Sequence, residues 1–140
     1  MKEPLFLTLA EIVEIHNNQI ESYGGQKGIR DIRLLESAVA QPEASFGGEW
    51  LHVDLYEMAS AYAFHICENH PFFDGNKRAA LASCLVFLEL NHISILDPNQ
   101  KLLRAMLQIA QGKLNKKEFS TLLKSRPDTA TFDAKNPMEY

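Results

Sequence analysis

The sequence predicts an all-α protein, a bundle of about six helices with one short β-hairpin-like flap. Three observations lead there. Apolar residues recur at helical spacing along most of the chain, most clearly at Leu55, Met58, Ala59, Tyr62 and Ile66. Start and stop signals bracket each such stretch. Pro42 to Val53 is the least regular internal stretch.

Thr8 opens the first helix, and Glu11 three residues on completes a capping box. Leu9, Ile12, Val13, His16 and Ile20 form its inward stripe, with His16 expected half-buried at the core edge. Tyr23-Gly24-Gly25 ends it, and Gly28 continues a flexible loop. Asp31 caps a second helix whose Leu34, Leu35, Ala38 and Val39 face inward, and Pro42 stops it. Gly47-Gly48 marks a turn between short extended pieces. Asp54 begins the third helix, which ends near Asn69 before Pro71. The fourth, nearly all apolar from Ala79 to Leu88, is expected at the centre and runs to about Asn91. Asp97-Pro98 supplies an N-cap and an N1 proline for the fifth, with Leu102, Leu103, Met106, Leu107 and Ala110 buried and Gly112 at its end. Asn115 and Glu118 set up the sixth, with Phe119, Leu122 and Leu123 inward and Pro127 beyond it. Residues 1–126 read as one domain. Residues 127–140 show no periodicity and read as a mobile tail.

Between the third and fourth helices lies His70 to Arg78, H-P-F-F-D-G-N-K-R. A loop this rich in charged and polar groups at the mouth of a core helix needs a partner for them. It delivers Gly75 and Asn76 to a helix N-terminus, where unpaired N–H groups and a partial positive charge favour anions. Lys77 and Arg78 add two cations that work against the helix dipole, an arrangement suited to a polyphosphate. Asp74 is an oxygen ligand for Mg²⁺ carried by that phosphate, although Asp also serves as a plain helix cap. His70 is the group best able to take a proton near neutral pH. Phe72 and Phe73 are anchors for the loop. Together these parts fit phosphoryl or nucleotidyl transfer.

The same nine residues closely resemble the signature of the Fic/Doc family, in layout over roughly residues 5–125. The resemblance implies His70 as the base that activates a target hydroxyl, with Asp74 and Arg78 completing the catalytic set. It also implies Asp74 on Mg²⁺, and Gly75, Asn76, Lys77 and Arg78 on the phosphates of ATP. Lys77 and Leu81 stand where the nucleotidyl-transferring (AMPylating) branch has Gly and a second Arg. That pattern is similar to the Doc branch, which implies a toxin passing the γ-phosphate of ATP to a Ser/Thr hydroxyl of a protein, a translation factor by family analogy. It further implies a cognate antitoxin whose disordered segment folds onto the toxin, and a flap beside the active site aligning the target. Phe46, Gly47, Gly48 and Trp50 are the flap candidates, with packing of Trp50 on the next helix as the alternative. A silent regulatory module acting with an antitoxin is a further reading.

Whole-chain properties narrow the field. A net charge of −4 over 140 residues argues against direct nucleic-acid binding through a broad basic surface. No apolar run reaches membrane-spanning length, and M-K-E-P-L-F-L lacks the apolar region of a signal peptide. Cys67 and Cys84 read as reduced, packed thiols, as expected of a cytoplasmic protein, and the five histidines show no zinc spacing.

Overall fold

A computed structural model describes residues 3–126. Six helices and one hairpin occur in the expected order: α1 (Leu9–Tyr23), α2 (Ile32–Ala40), β1 (Ser45–Phe46), β2 (Glu49–Trp50), α3 (Leu55–Asn69), α4 (Asn76–Leu90), α5 (Lys101–Ala110) and α6 (Lys116–Lys124). The tail assigned to residues 127–140 lies outside the described residues.

The caps work as their side chains dictate. Thr8 and Glu11 close a capping box on α1, and Asn115 with Glu118 does the same on α6. Asp31 accepts from the backbone N–H of Arg33 and Leu34, and Asp54 from that of Glu57. These bonds satisfy N–H groups that a helix start leaves unpaired.

α3 is the hub, packing against α2, α4, α5 and α6, while α1 lies on α4. Met58, Tyr62 and Ile66 of α3 are fully buried with Cys84, Phe87 and Leu88 of α4. Leu102 and Met106 of α5 and Phe119 of α6 close the core. Cys67 and Cys84 are free and buried. Burial pushes the Cys67 thiol up to about 11 and raises that of Cys84 further, so both are protonated packing groups.

Two details of α5 depart from expectation. Asp97 does cap the helix, accepting from the N–H of Lys101 and Leu102 at 3.0 and 2.9 Å, but from four residues upstream. Pro98 therefore sits in a turn ahead of the helix, and left-handed Gln100 is the boundary residue. The buried face is Leu102, Ala105, Met106 and Ile109, whereas Leu107 is 48% exposed. Leu102 and Met106 are buried as expected, but the rest of the face is Ala105 and Ile109 rather than Leu103, Leu107 and Ala110.

The hairpin pairs Ser45 with Trp50 and Phe46 with Glu49. Gly47 and Gly48 have φ of 60° and 83°, the positive values that a two-residue turn of this hand demands at both positions. Trp50 is partly buried against the core. It meets the Phe6 ring edge-on at 5.3 Å, and Phe6 stacks on Phe87 at 5.8 Å. It is thus a packing residue, while Phe46 is 82% exposed. The chain joins the hairpin to the N-terminal end of α3, and His70 closes the other end. Fifteen helical residues put about 22 Å between those ends.

Candidate functional site

The His70–Arg78 loop joins the two most extensively packed helices, so its ends are fixed by the core. α3 terminates at His70, whose φ of 52° and ψ of 54° place it in the left-handed region and whose N–H bonds the carbonyl of Ile66. Left-handed backbone favours glycine and strains other residues. Five residues later Gly75 opens α4, again left-handed and without a side-chain cap.

The loop is held from both sides. On one side it pairs with residues 28–31. The N–H of Arg30 and of Asp31 donate to the carbonyl of Pro71 at 2.7 and 3.0 Å, and Phe73 donates to Gly28 at 3.2 Å. Ile29 and Phe72 thereby form an antiparallel bridge. The segment read as a flexible loop is in fact a strand-like support, because its backbone groups are used on the motif. On the other side Asn76 reaches back from α4. Its amide accepts from the N–H of Phe72 and donates to the carbonyl of Phe72, both at 2.9 Å. Asn76 is buried, so its side chain holds the loop.

Phe72 is the anchor, fully buried and stacked on His16 at 3.8 Å with the rings 4° from parallel. Phe73 is half exposed over Gly28. His16 is completely buried rather than half-buried, because it has a task there. Its Nε2 lies 2.7 Å from the carbonyl oxygen of Asp74. A carbonyl only accepts, so Nε2 carries the proton, and Nδ1 is left buried with no partner among the described residues.

Asp74 does not act as a helix cap. Its carboxylate accepts from the N–H of Gln26 at 3.1 Å and of Gly75 at 2.9 Å. Gly25 makes that approach possible: a Cβ there would lie 2.9 Å from Oδ2 of Asp74. Each carboxylate oxygen takes one N–H and keeps a lone pair, and the group is exposed. Among the described residues no three His, Cys, Asp or Glu cluster as a metal cage. A single available carboxylate is the donor set that suits Mg²⁺ arriving with a phosphate.

The basic residues diverge. Lys77 is exposed. Arg78 turns onto α1, its guanidinium carbon 3.9 Å from the centre of the Tyr23 ring. Beside it opens a cavity of about 230 Å³, lined by Gln19, Leu81, Leu85 and Leu103 among others. Leu81 thus puts an apolar wall next to Arg78. The structure brings His70, Asp74, Gly75, Asn76, Lys77 and Arg78 together at one end of the bundle. Trp50, at the hairpin, contacts Phe6.

Sequence reading missed His16, Tyr23, Gly25 and Arg30 as parts of this site. The available signal was the cluster Gly24, Gly25 and Gly28 followed by Arg30-Asp31, dense for a mere connection.

The site is thus an exposed histidine at one helix end, with a carboxylate and two cations at the start of the next helix, on a helical bundle. The comparisons place it more narrowly. The model of the Fic/DOC family matches residues 6–88, and the chain belongs to that family. The match stops within α4, short of the 5–125 layout, leaving α5 and α6 outside it. The chain is 36% identical over 74 residues to a protein named Toxin Doc from Mycolicibacterium smegmatis, covering 53% of this chain and 57% of that one. It is 33% identical over 87 residues to Protein kinase doc of Escherichia phage P1, covering 62% and 68%. The similarity thus spans a little under three fifths of the first relative and about two thirds of the second. No helix among the described residues is long and apolar enough to cross a membrane.

Proposed function

We propose that the protein is a Doc-type toxin that transfers the γ-phosphate of ATP to a Ser/Thr hydroxyl of a protein target. The carrying observation is the pairing of an exposed His70 with the uncapped start of α4. The N–H groups of Asn76, Lys77 and Arg78 have no helical partner at that end, so they and the Lys77 ammonium would bind phosphate oxygens. Asp74 would hold Mg²⁺, which when bound neutralises phosphate charge. His70 accepts the proton of the attacking hydroxyl. Leu81 beside Arg78 favours this reading over nucleotidyl transfer, because it offers no second cation there. The names of the two relatives support a toxin with kinase activity and, with it, a cognate antitoxin as partner.

Label transfer tests this. Purified protein is incubated with Mg²⁺, bacterial lysate and ATP labelled at either the γ- or the α-phosphate. A protein band labelled only from γ is expected, reduced on the order of 10²–10⁴-fold in His70→Ala. Labelling from α, or undiminished γ-transfer by His70→Ala, overturns the proposal.

A further inference from the structure

We infer that Arg30, outside the motif, is the positioning residue for His70. The inference rests on the reading of His70 as the base. The His70 ring makes no hydrogen bond among the described residues, so no side-chain partner aims it. Its direction follows from the backbone, and that backbone is left-handed. Something must hold a histidine there.

Arg30 does so in three places. Its Nε donates to the carbonyl of His70 at 2.8 Å, and its Nη2 to the carbonyl of Asn69 at 3.1 Å. Its own N–H donates to the carbonyl of Pro71 at 2.7 Å. Three consecutive carbonyls around the base are gripped by one residue. The chemistry suits arginine. A helix C-terminus presents unpaired carbonyls and a partial negative charge, and the last turn of α3 contains no basic residue of its own. The guanidinium supplies that charge from another segment, and its planar fork fixes two acceptors at once. A lysine, a single rotatable point, does not. Asn69 is pinned in turn by its side-chain bond to the carbonyl of Leu34 at 2.9 Å. Residues 28–34 therefore form a cradle for the histidine, as Asn76 forms one for Phe72.

The test uses the full chain with Arg30→Gln and Arg30→Lys, and Thr8→Ala as a variant that loses a remote helix cap. Two readouts are taken: the ¹³Cα and ¹³Cβ shifts of His70 by NMR, which report left-handed backbone, and kcat and KM for ATP in phosphotransfer. Arg30→Gln is expected to shift the His70 resonances and lower kcat by about 100-fold, the cost of misplacing a reacting group by about an ångström, with KM within twofold. Arg30→Lys is expected to recover less than half of either change, and Thr8→Ala to alter neither. If Arg30→Gln does not fold, Arg30→Lys decides by the same two criteria. Unchanged His70 shifts overturn the inference whatever the activity. So does a rise in KM at constant kcat, or an equal loss of kcat in Thr8→Ala. If the wild type shows no phosphotransfer, the proposed function fails, while the His70 shifts still decide the role of Arg30.

Discussion

Replacing Asn76 with alanine should destabilise the protein more than truncating any other polar side chain of the motif. Ile29 and Phe72 face each other as a non-hydrogen-bonded pair, with the bonds running through Arg30–Pro71 and Phe73–Gly28. The N–H and carbonyl of Phe72 point the other way, and Asn76 satisfies both at 2.9 Å. Phe72 is fully buried, so water is not a ready substitute. Alanine leaves a donor and an acceptor unpaired, at about 1–3 kcal/mol each, or ~2–6 kcal/mol together. With a urea slope of about 2 kcal/mol per molar, the unfolding midpoint should fall by roughly 1–3 M. Asn76→Asp separates the two bonds. Its carboxylate still accepts from the Phe72 N–H but has no proton to give the carbonyl. At pH 7 it should therefore also be destabilised, and its deficit relative to wild type should shrink as acid protonates it. The alanine deficit should not shrink. A midpoint drop below about 0.3 M for Asn76→Ala would refute the accounting, as would an Asn76→Asp deficit independent of pH.

Other perturbations test separate parts of the description. Gly25→Ala, at φ 119° and with its Cβ 2.9 Å from both Asp74 Oδ2 and Ile20 Cδ1, should cost about 1–3 kcal/mol by urea unfolding. Trp50→Ala should cost about 2 kcal/mol through lost contact with Phe6, whereas Phe46→Ala should cost less than ~0.5 kcal/mol, and the reverse order would contradict the hairpin's orientation. Burial, then the Lys116 charge, lowers the pKa of His65 from 6.5 to about 4, and Lys116 Nζ lies 2.9 Å from its Nε2. Between those values the unfolded chain binds a proton that the folded one does not, so this stability is complete above pH 6.5 and lost as pH falls toward 4. The full difference is ~3 kcal/mol, reduced by solvent around the part-exposed ring to about 1–2 kcal/mol. Urea midpoints from pH 7 to 4.5 should show that decline, and His65→Gln should flatten it.

The parts of this molecule that were legible in the sequence are those governed by near neighbours. Thr8 with Glu11 and Asn115 with Glu118 are three apart, and the helices they open are where the sequence puts them. The candidate site residues could be grouped for the same reason, lying within nine consecutive residues. What failed depended on distant partners. Leu103 and Leu107 look as apolar as Ala105 and Ile109, and only the packing of α5 on α3 and α4 selects between the faces. His16 is 58 residues from the carbonyl it supports, and Arg30 is 40 from His70. No periodicity announces such contacts. Pro98 misled because a proline after Asp suits a first helical turn, yet an Asp side chain can also cap from further back, as Asp97 does.

These long-range contacts explain how an exposed loop can carry several charged and polar side chains without collapsing around them. The motif's backbone and its Asn76 amide are almost wholly used on structure: Pro71 on residues 30 and 31, Phe72 on Asn76, Phe73 on Gly28, and Asp74 on His16 through its carbonyl. With the main chain so fixed, the His70 ring and the Lys77 ammonium need take no part in holding the fold, and the Asp74 carboxylate only a minor one. They stay exposed at the junction of a helix end and a helix start. Functional groups on a loop gain precision only when rigid elements hold that loop. Here the support comes from the 24–31 segment and α1. Losses of activity without loss of the motif should therefore concentrate at His16, Gly25, Gly28 and Arg30, and spare the hairpin tip at Gly47-Gly48, where an added Cβ meets nothing within 4 Å.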